Sequence, residues 1–278
     1  MLKKCITVAA FALCLSANAQ QIKTPAPSPT QTIKQDFGVS FMELTYSRPN
    51  IRGRKVFGDL VPYGKLWRTG ANAATRIRFA DDVIIGGTQV KSGDYVLYTI
   101  PNQNEWEVII NKGINNWGID GYKPEEDVAH VKVKPMKMDE SMETFTMQFA
   151  NMKPASAELH IMWEKTAIAV PITTDVDSKV MAQINNVMTK DNRPYAQAAA
   201  YYLDNGKDLN QALIWYDKAL EQNPNAYWLY HQKANALAKL GKKEEAKTTA
   251  QKSMDLAKTA NNQDYVHLNE KLLAELAK

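Results

Sequence analysis

"METFTMQFANMKPASAELHIMWEKTAIAVPI", residues 142–172, alternates apolar with polar side chains through much of its length. Phe145, Met147 and Phe149 alternate with Thr144, Thr146 and Gln148, and Leu159, Ile161 and Trp163 alternate with Glu158, His160 and Glu164. A period of two sends alternate side chains to opposite faces of a pleated strand, so these segments read as half-buried strands of an antiparallel structure. The pattern continues upstream, where Ile77 and Phe79 alternate with Arg76 and Arg78, and Val131 and Val133 alternate with His130, Lys132 and Lys134. Further strands are predicted over Val39 to Ser47, Val83 to Ile85, Tyr95 to Ile100, Trp106 to Asn111 and Ala167 to Ile172. Turn signals separate them at Gly86-Gly87, Ser92-Gly93-Asp94 and Pro101-Asn102. Roughly nine short strands in ~135 residues, with no helical period between them, predict an antiparallel, jelly-roll-like β-sandwich over residues 36–173. A closed barrel is the lesser alternative.

From Asp177 to Lys278 the period becomes helical, which makes the chain a multidomain β plus α protein. Val180, Ile184, Val187 and Met188 share one helical face behind a cap at Asp177 or Ser178. Downstream, "DLNQALIWYDKALEQNP" and "GKKEEAKTTAQKSMDLA" align about 34 residues apart. Ala212, Tyr216, Ala219 and Pro224 of the first correspond to Ala246, Ala250 and Ser253 of the second, and small residues at this spacing let paired helices approach closely. The pattern resembles tetratricopeptide repeats over Arg193 to Ala257, although Gly206 lies one residue too far before Ala212 while Gly241 is in register. A generic helical bundle is the alternative. Ser178 to Lys190 and Asn262 to Lys278 are expected to close the ends of the stack. In this register Gln197, Tyr201, Trp228, His231, Asn235 and Lys239 fall on the first helices, the side that such solenoids present to a protein or peptide partner.

The chain begins with Lys3 and Lys4, an apolar run from Cys5 to Leu15, and the small pair Ala17 and Ala19. That is the pattern of a signal peptide over residues 1–19, cleaved after Ala19 or Gln20, and it implies a periplasmic or extracellular protein. The run is shorter than the ~20 apolar residues of a membrane span. A lipidated Cys14 is disfavoured by Leu13 before it. Cleavage would remove both cysteines, Cys5 and Cys14, leaving no disulfide and no thiol chemistry. A linker over residues 20–35 follows, with Pro25, Pro27 and Pro29 alternating. The formal charge of +4 falls to +2 without Lys3 and Lys4, with both signs mixed along the chain, and carries no footprint of nucleic-acid binding.

"GRKVFGDLVPYGKLWRTGANAATRIRF", residues 53–79, belongs to the densest stretch of the chain. Six of its seven arginines lie between Arg48 and Arg78, while lysines are spread throughout. Arginine concentrated in this way points to planar pairing with carboxylate, phosphate or backbone carbonyls. One reading is structural, with guanidinium groups tying a long loop to the sandwich. The other is a ligand site in which Arg48, Arg54, Arg68 and Asn72 meet an anion or a glycan above an apolar floor of Tyr63 and Trp67. Together with "SGDYVLYTIPNQNEWEVIIN", "NNWG" and "LHIMWEKTAIAVPI", the stretch is similar to the exported bacterial family known as domain of unknown function 2911. That resemblance implies a compartment, a domain boundary and, in some members, attached helical repeats; it implies no catalytic residues.

Other chemistry finds little footing. Gly53, Gly64 and Gly70 match no phosphate-loop spacing, no Gly-x-Ser-x-Gly elbow or zinc-binding helix occurs, and no cofactor or metal is expected. His160 with Glu158 and Glu164 would make a metal trio only if a further ligand folded over them. Asp120, Glu125, Glu126 and Asp127 form an acidic loop that would suit a hydrolase acting on a carbohydrate or envelope polymer if it shared a deep pocket with Arg68. The expected function is a non-catalytic binding and interaction protein, with such a hydrolase and a purely structural adaptor as alternatives.

Overall fold

The computed structural model describes residues 24–278; the expected leader over residues 1–19 lies outside the described residues. The chain forms two units that divide between Asp175 and Val176. Among the described residues the first holds ten strands: β1 (Thr30–Phe37), β2 (Ser40–Ser47), β3 (Thr75–Phe79), β4 (Val83–Ile85), β5 (Thr88–Val90), β6 (Gly93–Ile100), β7 (Trp106–Asn111), β8 (Asp127–Val133), β9 (Met136–Lys153) and β10 (Ser156–Thr173). They form a six-stranded sheet in the order β1-β2-β3-β6-β7-β8 and a four-stranded sheet in the order β5-β4-β10-β9, and every strand pairing is antiparallel.

The two sheets share one core. Leu44, Ile77, Leu97, Val108 and Val131 of the larger sheet are buried with Ile85, Met147, Leu159, Ile161 and Val170 of the smaller. A polar stitch crosses it at Tyr46 on β2, whose hydroxyl accepts from the Met147 amide at 2.8 Å and lies 2.9 Å from the Met147 carbonyl on β9. Burial raises the Tyr46 pKa above that of a free phenol. The opposite face of β6 and β7 is also covered, with Val96, Tyr98 and Ile109 packed under Leu66 and Tyr122. That double cover explains why β6 is buried from Tyr95 to Thr99 without alternation.

Two expectations need correction. The linker expected over residues 20–35 overlaps a strand, because Thr30 to Phe37 form β1 and pair with β2 along their full length. The signal was weak because β1 is an edge strand whose side chains are only partly covered; its cross-strand bonds are polar, such as Thr32 Oγ1 to Thr45 Oγ1 at 2.9 Å. Second, the strands expected around Leu159–Trp163 and over Ala167–Ile172 are one continuous strand, β10. Its register against β9 shifts on either side of Glu164, which has a φ of 54°. A bulge inserts a residue and reverses which parity faces inward. Leu159, Ile161 and Trp163 are therefore buried before it, and Ile168, Val170 and Ile172 after it.

The second unit holds α1 (Val176–Val187), α2 (Tyr195–Asp204), α3 (Leu209–Gln222), α4 (Tyr227–Lys239), α5 (Lys243–Thr259) and α6 (Gln263–Leu276). Ala212, Tyr216, Ala234, Ala246 and Ala250 are fully buried, as close helix packing requires. The misplaced glycine has a local explanation. Gly206 and Gly241 both follow a helix end with positive φ, 62° and 75°, but the next helix begins at Leu209 in one case and at Lys243 in the other. The extra residue lengthens the turn and leaves the packing positions aligned; Asp208 caps the lengthened turn by accepting from the amides of Asn210 and Gln211. No helix among the described residues is long and apolar enough to cross a membrane.

Candidate functional site

Residues 48–74 connect β2 to β3 with no strand of their own, touching the sheets through isolated bridges at Asn50 to Thr144 and Trp67 to Thr99. Such a path needs unusual backbone conformations. Positive φ occurs at Arg52, Gly53, Gly58, Gly64, Thr69, Gly70 and Asn72. Thr69 is the strained member, a β-branched residue at φ 54°, and it is fully buried with its hydroxyl 3.0 Å from Thr99 Oγ1. Gly70 admits no side chain, because a Cβ there would stand 2.9 Å from the Ser47 carbonyl.

The arginines hold this loop through main-chain carbonyls. Arg48 donates from Nε to Phe145 O and from Nη2 to Thr146 Oγ1, and Arg54 donates from Nε to Ile51 O and from Nη2 to Asn50 O. Arg52 donates from Nη2 to Pro27 O at 3.2 Å. No described carboxylate lies within ion-pair distance of Arg48, Arg52, Arg54 or Arg68. Carbonyls satisfy donors and leave the formal charge of these guanidinium groups in place; the one carboxylate bonded at this end of the loop, Glu143, accepts from the Arg52 main-chain amide at 2.9 Å. Arg68 differs again: its Nε is buried with no partner, and its Cδ runs beside the 113–121 loop, 3.8 Å from where Gly118 would carry a Cβ.

A cavity of about 290 Å³ opens between this loop and the sandwich. Arg52, Arg54, Arg68, Trp67 and Trp163 contribute to its wall, with Leu60 and Val61 beside them and Pro27 and Ser28 opposite. The two indoles stack nearly parallel, with centroids 6.0 Å apart and planes at 14°. Trp67 Nε1 donates to Gly70 O and Trp163 Nε1 to Glu143 O, so the floor offers a ligand no indole donor. The wall contains no carboxylate. Opposite, the segment Pro27-Ser28-Pro29 is held carbonyl by carbonyl, by Arg52 Nη2, Asn72 Nδ2 and the Arg48 amide.

Of the six residues expected to form a ligand site, the structure brings Arg54, Trp67 and Arg68 to one cavity. Arg48 is spent on Phe145 and Thr146, and Asn72 on Ser28 and Ser47. Tyr63 lines a separate cavity of about 330 Å³ with Trp106, Lys137 and Lys165. Its ring stands there because it packs on Gly58, whose absent Cβ would lie 2.6 Å from Tyr63 Cε2. Arg52 and Trp163 were not singled out as ligand residues. The density of arginine held a signal for Arg52; Trp163 looked like an ordinary inward position of its strand.

The acidic loop does not join this cavity. Asp127 is a structural hub: its carboxylate accepts from Asn111 Nδ2 at 2.7 Å and from the Tyr122 hydroxyl at 2.7 Å, and lies 2.8 Å from His130 Nε2. Burial, and then the bond to Asp127, raise the Tyr122 pKa. Neither Asp120 nor Asp127 lines the cavity that holds Arg68. His160 Nε2 lies 2.8 Å from Glu158 Oε2, and that bond together with one from Asn151 lowers the Glu158 pKa. No cluster of three metal-ligating side chains occurs among the described residues.

In the helical unit, Tyr201 bonds Asp177 Oδ1, Asn235 bonds the His231 carbonyl, and Lys239 Nζ bonds the Leu203 carbonyl. His231 Nδ1 lies 2.8 Å from Oδ1 of the fully buried Asn269, whose Nδ2 donates to Ser253 Oγ and to Tyr265 O. Lys239 and His231 thus brace α4 against α2 and α6, Tyr201 joins α2 to α1, and the Asn235 bond stays within α4. Gln197 is exposed, and Trp228 keeps 41% of its surface in solvent with its ring edge-on to Tyr227.

A family model described as a protein of unknown function (DUF2911) matches residues 28–172, and a tetratricopeptide repeat model matches residues 215–248. No curated protein and no solved structure matches the chain at a significant level.

The two kinds of arginine are separable by stability. Replacing Arg48 with Met removes bonds to Phe145 and Thr146 and is expected to cost about 1–2 kcal/mol in urea denaturation. Arg68→Met removes a buried donor that has no acceptor, and is expected to leave stability unchanged or raise it by about 1 kcal/mol. Equal losses at both positions would place Arg68 among the structural arginines.

Proposed function

The chain belongs to the DUF2911 family of proteins of unknown function, and from its arginine-walled cavity and its tetratricopeptide repeat we propose an exported binding and interaction protein. In this reading the β-domain takes an anionic ligand and the helical repeats engage a protein partner. The observation that carries the first half is a concave site with several guanidinium groups and no carboxylate in its wall. Guanidinium groups with no carboxylate paired to them in a concave site favour an anion over a neutral ligand. The second half rests on the repeat itself, a module class that binds proteins, and on the exposed Trp228 of α4. Export rests on the Lys3-Lys4, apolar and Ala17-x-Ala19 pattern of the first residues.

Three measurements test these parts. Thermal-shift screening of the chain against small organic and inorganic anions is expected to raise the melting temperature, by about 2.7 kcal/mol of stabilisation at a hundredfold excess over Kd. Arg54→Met is expected to abolish that gain, and a melting temperature unmoved by every anion would overturn the ligand reading. For the repeat, Trp228→Ala is expected to change stability by less than about 1 kcal/mol, as at an exposed site, and to reduce recovery of the co-purifying partner. A large stability loss would instead assign Trp228 to helix packing. Mass spectrometry of protein from its native source is expected to find an N-terminus at Gln20 or Gln21; an intact Met1 would remove the basis for export, and an acylated Cys14 would replace the cleavage after Ala19 with a lipid anchor.

A further inference from the structure

The cavity carries more than a preference for charge, because the exposed Arg52 and Arg54 share its wall with an apolar floor of the buried Trp67, Trp163 and Val61. Arg54 is locked in plane by its two carbonyl bonds to Ile51 and Asn50, which occupy the Nε side of the guanidinium and leave its outer edge free. A planar, immobilised guanidinium edge matches the two oxygens of a carboxylate and loses little side-chain entropy on binding. Arg52 lines the same wall, and its guanidinium donates to Pro27 O through Nη2. Trp67, Trp163 and Val61 present carbon there, with the exposed Leu60 at the margin, and both indole N–H groups are already taken by main-chain carbonyls. Among neutral polar side chains in the wall, Asn50 already accepts from Thr144 Oγ1 through Oδ1. A bare inorganic anion would leave the floor unfilled, and a polyhydroxylated sugar would find few partners for its hydroxyls there.

We infer that the ligand is a small amphiphilic carboxylate, one whose head pairs with Arg54 and Arg52 while an apolar group the size of a phenyl ring lies against Trp67 and Trp163. This rests on the anion-binding reading above and narrows it. The volume of about 290 Å³ sits at the lower end of ligand pockets, which sets the size class.

Isothermal titration calorimetry of the chain with 3-phenylpropanoate, its neutral amide, acetate and inorganic phosphate tests the inference. The expected result is saturable binding of 3-phenylpropanoate at least tenfold tighter than of the other three, lost by tenfold or more in Arg54→Met. Arg54→Lys is expected to recover little, because it restores the charge without the fork. The far-UV circular dichroism and melting temperature of each variant report whether it is folded, and Arg52→Met provides a second variant should Arg54→Met fail to fold. Acetate or phosphate binding as tightly as 3-phenylpropanoate would overturn the apolar subsite while leaving the anion site standing. Amide binding as tightly as the acid would overturn the carboxylate assignment and the anion reading together, and so would the absence of binding by all four probes.

Discussion

The pair of main-chain bonds between Trp67 and Thr99 governs how the β-domain is put together. The Trp67 amide donates to the Thr99 carbonyl at 2.7 Å, and the Thr99 amide returns the bond at 2.9 Å. They fasten an otherwise strandless loop to a central strand of the larger sheet and turn the Trp67 ring into the core. Once that ring is fixed among Phe57, Phe145 and Trp163, residues on either side of it have few remaining paths. Thr69 is driven into a left-handed conformation and Gly70 against the Ser47 carbonyl, and the chain can then enter β3. The local strain is offset by aromatic packing, a common trade where a loop must hold a fixed shape.

Much of the fold was legible because burial on one face writes a period of two into the strands and helical packing writes small residues at repeat spacing. Val83–Ile85 and Trp106–Asn111 were read with the ends they have in the structure. Legibility failed where the physical cause is not local. β1 has too little apolar content to announce itself, and becomes a strand because β2 supplies its hydrogen-bonding edge. β10 looked like two strands because a bulge at Glu164 reverses its parity, and no alternation rule survives an inserted residue. At the site, Trp67 and Arg54 were visible as residue types, but which arginine donors are taken depends in part on carbonyls distant in sequence, at Pro27 for Arg52 and Phe145 for Arg48. Tyr63 departs from the expected site through a local contact that residue type alone does not reveal, since packing on Gly58 turns it to another cavity.

The helical unit shows a complementary arrangement of polar groups. Asn269 is fully buried, and its amide hydrogens are both committed to Ser253 and Tyr265, so its oxygen is left to accept from His231 Nδ1. Four residues from α4, α5 and α6 are thus held in one orientation by hydrogen-bond direction as well as by shape. A network of this kind specifies helix register more sharply than apolar packing alone, because a rotated helix would strand buried donors. It leaves the exposed Trp228 on a helix whose rotation is set from within.

Pro27 and Ser28 of the segment Pro27-Ser28-Pro29 line the cavity although the segment precedes the first strand. Its two prolines have no amide hydrogen to give, so its attachment runs one way, through carbonyls offered to Arg48, Arg52 and Asn72. Any residue that keeps the backbone extended can supply the same carbonyls. The side chains there are consequently free to change without loosening the sheets, while every change alters the surface a ligand meets. Evolution can therefore retune selectivity from the very margin of the domain, at positions where the fold exerts almost no veto.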